Sequence, residues 1–201
     1  IVYRAQLFAA EQLPAYLSTR LSEALGRPVR VGTVRLWPPG AFSVRNPRVL
    51  PPEGETEPPL AAERARVYLS WWDLIAHRRL RLRGLHLDRA RVRGEVSLQQ
   101  SENVQTDAAE ALRALSRIGL RQIGVHDTTV HLTTVQSPEG LDTVSLAGLD
   151  LVADLRGETF RLRGRADRWS GGGFEASELS LRGEGDGKGL RITRSGATFS
   201  G

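Results

Sequence analysis

The side chains best suited to catalysis or metal binding are few in this sequence. It has four histidines and no cysteine, so thiolate nucleophiles, disulfides and cysteine-ligated metals are excluded. His77, His86, His126 and His131 lack a histidine or carboxylate at metal-ligand spacing, and neither HExxH nor GxSxG occurs. His126 and His131 are an odd number of positions apart, so a regular strand would place them on opposite faces. We therefore expect no enzymatic activity, no metal and no other cofactor.

The stretch GEGDGKG at 183–189 resembles a phosphate-binding loop. However, Gly189 follows the lysine where that loop needs serine or threonine, and Arg182 stands in place of its first glycine. A tight turn between two strands accounts better for this stretch, and SGGGF at 170–174 is also typical of a turn.

Arginine is the most abundant candidate binding group. The net charge is +5, and all but one of the 28 Lys and Arg residues are arginine. Seven of them crowd a predicted hairpin near Asp88 and Glu95: Arg78, Arg79, Arg81, Arg83, Arg89, Arg91 and Arg93. Nucleic-acid binding would place aromatic rings among them, and none occurs between Trp72 and Phe160, so we expect no nucleic-acid partner.

Two interpretations of this arginine cluster stay open. It is either a solvated strand face or a contact for anionic lipid headgroups or an acidic partner. The second interpretation assigns that contact to Arg79, Arg81, Arg83, Arg89, Arg91 and Arg93.

The first predicted element is an amphipathic helix in residues 1–26. Its apolar stripe contains Ala10, Leu13, Leu17, Leu21 and Leu25, at the three- and four-residue spacings of one helix face. Pro14 predicts the start of the regular part, and Gly26 predicts its end. No apolar run of about 18 residues occurs. Because the chain starts at Ile1 without methionine, we expect a piece of a longer protein whose membrane anchor has been removed.

After Gly26 the hydrophobic period changes to two, which predicts strands. We expect a first β segment over 27–105 with a Pro-rich loop at 51–59 and one helical turn near SWWDLIAHR. A second helix is predicted over 106–118, and strand repeats over 119–201 that continue in the full-length protein. The fold class is therefore mainly β with two or three short helices. Its long, curved, mostly antiparallel sheet would form an open U-shaped groove, with the N-terminal helix capping one end.

One phrase recurs along the chain: apolar, two residues, apolar, one residue, apolar. Its copies are Val31, Val34, Leu36; Leu82, Leu85, Leu87; Leu120, Ile123, Val125; Leu146, Leu149, Leu151; and Ala176, Leu179, Leu181. Each copy slips the strand phase by one residue, twice at a glycine, Gly84 and Gly148. An extra residue in a strand forms a bulge, and bulges bend a sheet. The repeat therefore predicts a sheet that curls into a trough.

The order of these phrases resembles the AsmA-like and TamB proteins, which belong to the bridge-like lipid transfer proteins. The segments that carry the resemblance lie between about Leu17 and Leu132 and are LSEALGRPVRVGTVRL, EPPLAAERARVYLSWWDLIAHRRLRLRGLHLDRARVRGEV and ALSRIGLRQIGVHDTTVHL. Residues 133–201 match only as repeating strands. The resemblance implies a periplasmic body anchored in the inner membrane, with a greasy β-groove that carries phospholipid toward the outer membrane. It also implies a partner in outer-membrane protein assembly.

The residues expected to line this groove and contact phospholipid acyl chains are aliphatic with one exception. They are Leu80, Leu82, Leu85, Leu87, Val92, Val96, Leu120, Ile123, Val125, Val130, Leu132, Leu146, Leu149, Leu151, Phe160, Leu162, Leu179 and Leu181. The alternative is a closed β domain in which they pack a core, and which binds a protein or an anionic surface through its arginine-rich face. The low aromatic content of 6% and the shortage of helix to cover so much apolar strand surface favour the groove.

Overall fold

A computed structural model of the chain describes residues 13–37, 41–51, 54, 56–77, 81–97, 119–135, 141–157, 159–186 and 189–200. The helices are α1 (Leu13–Leu25) and α2 (Trp71–His77). The strands are β1 (Val29–Arg30), β2 (Val34–Trp37), β3 (Ala41–Arg45), β4 (Arg48–Val49), β5 (Leu60–Leu69), β6 (Leu82–Ser97), β7 (Gln122–Val135), β8 (Leu141–Arg156), β9 (Thr159–Gly171), β10 (Phe174–Asp186) and β11 (Gly189–Ser200).

Helix α1 begins and ends close to the predicted residues. Pro14 lies in its first turn, where the missing N–H removes no helical hydrogen bond. Gly26 follows the last turn with φ +62°, the left-handed conformation that ends many helices. The Ser22 hydroxyl accepts a 2.8 Å hydrogen bond from the Val29 N–H, which fixes the helix against β1.

All eleven strands form one sheet, in which β1, β4 and β5 through β11 follow one another. β2 pairs with β3, and β3 with β5. Every pair is antiparallel except β6 with β7, so the sheet is mixed. Over the described residues β1 does not pair with β11, and the sheet is open. The predicted mainly β, mostly antiparallel open sheet is confirmed, and the closed β domain is wrong.

The structure tests the predicted hairpin at the arginine cluster and the predicted turns between strands. The expected hairpin around the arginine cluster is wrong, because β6 runs unbroken from Leu82 to Ser97 and pairs with β5 and β7. The predicted turn in SGGGF is confirmed, since Gly172 and Gly173 join β9 to β10. In the second predicted turn, β10 instead extends to Asp186, which pairs with Gly189 of β11, and residues 187–188 lie outside the described residues. The predicted helix over 106–118 lies outside the described residues.

At three of the five copies of the repeat, the predicted phase slip is a bulge in the structure; the copies at Val31 and Leu120 begin outside the strands. Register shifts occur in β6 beside Gly84, in β8 around Gly148 and in β10 around Glu178. Gly148 has φ +64° and Glu178 has φ 54°. The sequence did not reveal Arg89 and Asp127, which also have positive φ and occupy equivalent positions in the parallel strands β6 and β7. These bulges explain why apolar residues three apart still share one face.

The buried core lies at the end of the sheet that α1 covers. Leu17 of α1 is 1% exposed and packs in a cluster with strand residues that include Phe42, Val44, Val67 and Leu82. The same cluster extends to Leu120, Leu155 and Phe160. Helix α1 therefore caps one end of the sheet, as predicted.

Candidate functional site

The strand register aligns apolar residues into rows that cross the sheet. The first row contains, in sheet order, Phe42, Val67, Leu85, Ile123, Ala153, Leu162, Gly183 and Ile192. The second row contains Val44, Ala65, Leu87, Val125, Leu151, Gly164, Leu181 and Ser195. Since side chains two residues apart on a strand share a face, both rows lie on the same side, called here the apolar face.

Two further sets of paired residues extend the apolar face beyond the bulges at Arg89, Asp127, Gly148 and Glu178. Ala62 pairs with Ala90, Thr128 with Leu149, and Ala166 with Leu179. Another row contains Val29, Val49, Leu60, Val92, Val130, Leu146, Trp169 and Ala176. The apolar face therefore continues along the length of the strands as well as across them.

These rows unite most of the groove residues predicted from sequence. Members of the rows or pairs are Leu85, Leu87, Val92, Ile123, Val125, Val130, Leu146, Leu149, Leu151, Leu162, Leu179 and Leu181. Leu132 pairs with Gly94 and Val144 farther along. Leu82, Leu120 and Phe160 instead lie in the buried core. Leu80 lies outside the described residues, and for Val96 only the backbone pairing with Thr134 is described.

The apolar face is covered unevenly. Leu17 and Leu21 of α1 line a small apolar cavity together with Val44, Ala65 and Leu87, so the helix covers this face over β3 to β6. Farther on, Val125, Leu151, Leu162 and Leu181 are only half-buried. Among the described elements, β7 to β10 make their main contacts with their sheet neighbours alone. An aliphatic surface thus remains open beside a covered one.

The opposite, polar face carries the predicted arginine cluster. Arg81, Arg83, Arg89, Arg91 and Arg93 are all exposed, and Arg79 lies outside the described residues. Two of the cluster form ion pairs: Arg89 lies 2.9 Å from Glu63, and Arg93 contacts Glu57. Such exposed pairs contribute little to stability. Asp88, expected to oppose the cluster, instead accepts hydrogen bonds from Arg66 at 3.2 and 2.9 Å.

A second charged group surrounds Asp150, where β7 bulges. One carboxylate oxygen of Asp150 lies 2.5 Å from Nδ1 of His126 and accepts a 3.0 Å bond from the Asp127 N–H. The other accepts bonds from Arg165 at 3.0 and 2.8 Å. Burial acts to raise the pKa of Asp150, but these donors outweigh it, and the pKa lies below its ordinary value. The group holds the bulge in β7 against β8 and β9.

The histidines do not converge on one another. His86 bonds Gln122 at 3.0 Å and contacts the ring of Tyr68 edge-on at 5.3 Å. His77 lies 3.7 Å from Asp73. The expected opposite orientation of His126 and His131 is wrong, because the bulge between them returns both to the polar face. No three His, Asp or Glu side chains among the described residues are placed to hold a metal ion.

Sequence reasoning missed a row of charge on the same polar face. In it, Arg163 of β9 pairs with Arg182 of β10, which pairs with Arg194 of β11. The signal was the alternation of arginine in RLRGR at 161–165, but the partners of these residues depend on strand register. All three residues line a concavity of about 650 Å³.

Comparison with known proteins does not identify a family for this chain. The sequence matches no protein-family model and no curated protein. Neither described helix has the length and hydropathy to cross a membrane. The structure defines the class as a mainly β protein with a long open sheet.

Proposed function

We propose that this chain is a noncatalytic segment of a periplasmic lipid transfer scaffold that is anchored to the inner membrane. In this proposal it belongs to the AsmA-like and TamB family and carries phospholipid toward the outer membrane, along its apolar face. A partner in outer-membrane protein assembly would bind the end of the scaffold that lies away from the inner membrane. The observation that carries the proposal is the half-buried part of the second row from Val125 to Leu181, where no described element covers it.

The dimensions of the apolar face suit an acyl chain. Adjacent strands lie about 4.8 Å apart, so the span from β7 to β11 is about 19 Å. One leaflet of a bilayer has a hydrocarbon depth of about 15 Å, half of its roughly 30 Å core. An acyl chain laid across the strands therefore fits within the open part of the face.

The chemistry of the face also favours a mobile chain. Its open part is built from Leu, Val and Ile with glycine between them, as at Gly164 and Gly183. Removal of each methylene from water is favourable by about 0.8 kcal/mol, and the backbone of the sheet is already hydrogen-bonded. From β7 to β10 the first and second rows contain no polar side chain, so this part of the face offers burial without a group that would fix one chain position.

The test is photocrosslinking of the purified chain with a phospholipid that carries a diazirine in its acyl chain. We expect adducts on second-row residues of the open part, such as Val125, Leu151 and Leu181. Val152 and Arg163, their neighbours on the opposite face, should remain unmodified. Adducts spread equally over both faces, or no adducts, would contradict the proposal.

A further inference from the structure

Three arginines occupy neighbouring strands on the polar face without a carboxylate between them. Arg163 pairs with Arg182, and Arg182 with Arg194. Like charges directly opposite one another destabilise a sheet. Farther along the same register lie Val152, Gly124 and His86, none of which carries negative charge.

A bulge places the third arginine in this row. Arg182 pairs with Arg194, but Gly183 pairs with Ile192, so Thr193 is the extra residue of β11. The Thr193 hydroxyl donates a 3.1 Å hydrogen bond to the carbonyl oxygen of Arg182, which holds the bulge. Without that extra residue, Arg194 would point to the apolar face. The local backbone thus brings a third cation to a site that already has two.

In the adjacent row on the same face, each charged residue pairs with a residue of opposite charge. There Asp154 pairs with Arg161, Arg161 with Glu184, and Glu184 with Arg191, so the signs alternate. Alternating signs are the favourable arrangement for cross-strand pairs. The two rows therefore differ in charge order although they share strands and exposure.

The nearby carboxylates leave Arg182 and Arg194 without an ion-pair partner among the described residues and engage Arg163 only in a long ion pair with Asp154. Asp150 is engaged by Arg165, His126 and the Asp127 N–H. Asp154 accepts a 3.0 Å bond from Gln122 and lies 3.8 Å from Arg163, beyond hydrogen-bond length. In the part of the chain that the structure describes, neither Arg182 nor Arg194 takes part in an ion pair.

We infer that Arg163, Arg182 and Arg194 form a binding site for a phosphate group. Each guanidinium presents paired N–H donors that match two oxygens of a phosphate. Three guanidiniums supply more donors and charge than one carboxylate can use, whereas a phosphate has several oxygens and a charge of about −1 as a lipid diester or about −1.5 to −2 as a monoester. The concavity of about 650 Å³ that these arginines line has the size of small-molecule sites. The site does not depend on the proposed lipid function, because it lies on the opposite face.

Two probes distinguish a free phosphate from a lipid headgroup. The first is inorganic phosphate, titrated at low ionic strength and followed through the arginine Nε–H signals in NMR spectra. The second is sedimentation with phosphatidylcholine vesicles that contain or lack phosphatidylglycerol. The test variant is Arg182→Gln with Arg194→Gln. The control is Arg161→Gln with Arg191→Gln, which removes the same two charges from the net +5 on the same face.

We expect the wild-type chain to bind at least one probe. The test variant should weaken that binding by about tenfold or more, and the control should change it less than about twofold. A response to phosphate alone assigns a soluble ligand, and a response to phosphatidylglycerol alone assigns a headgroup. Equal weakening by both variants would show a net-charge effect and overturn the site, as would no binding of either probe. Circular dichroism verifies that both variants fold.

Discussion

Replacement of Leu151 by aspartate separates an open apolar groove from an ordinary sheet surface. Leu151 lies in the middle of the second row, pairs with Val125 and Gly164, and is half-buried. Beside it Gly164 has no side chain, and Leu151 itself covers that position. A bound acyl chain would have to cross Leu151 to reach either end of the row.

The magnitude follows from what an acyl chain would cover. Full burial of a leucine is worth about 1.5–3 kcal/mol. Only the smaller part of Leu151 remains exposed, so covering it contributes at most about 1 kcal/mol to binding. A carboxylate trapped under the chain adds about 1–3 kcal/mol of desolvation. The sum of about 1–4 kcal/mol weakens acyl-chain binding about 5- to 1000-fold.

Val152→Asp is the matched control. It makes a comparable apolar-to-acidic change at the next residue of β8, which is also half-buried but faces the other side, opposite Arg163. The assay is native mass spectrometry and solvent extraction of protein purified from bacterial cells without detergent. Phospholipid should accompany the wild type and Val152→Asp but not Leu151→Asp. Lipid retained by Leu151→Asp, equal loss in two folded variants, or a lipid-free wild type would refute the reasoning.

Three further predictions concern stability. In urea unfolding, Gly148→Ala should destabilise the chain by about 1–3 kcal/mol more than Gly157→Ala. Both glycines have φ +64°, but a Cβ added at Gly148 would clash with the Asp167 carboxylate, whereas one added at Gly157 would contact nothing. Because the pKa of Asp150 is lowered in the folded state, its stabilisation should be complete above about pH 4 and disappear as pH falls further. Asp150→Asn should therefore destabilise by about 1 kcal/mol at pH 7 and by less at pH 3, and an equal loss at both would contradict this. Leu17→Ala should lower the free energy of unfolding by about 2–4 kcal/mol and exposed Thr19→Ala by under about 0.5 kcal/mol; similar values would show that α1 does not pack on the sheet.

Much of the fold could be predicted because its patterns are local. The stripe of Leu17 and Leu21 and the terminal Gly26 predicted α1, and alternation predicted the long strands. The slips at Gly84 and Gly148 predicted bulges, since one extra residue returns the following side chains to the same face. The bulges at Arg89 and Asp127 were missed because non-glycine residues as a group seldom adopt positive φ and neither position interrupts the pattern with a glycine. The incorrect orientation of the histidines followed from that omission.

The sequence by itself determined which residues are apolar and on which strands they lie, because alternation is a property of each strand alone. Only the tertiary structure decided which strands are neighbours and in what register, since pairing joins residues far apart in the chain. The parallel pairing of β6 with β7, the continuity of the second row and the alignment of Arg163, Arg182 and Arg194 all depend on it. A one-residue change of register would move every side chain of a strand to the other face, so both candidate sites are products of the register.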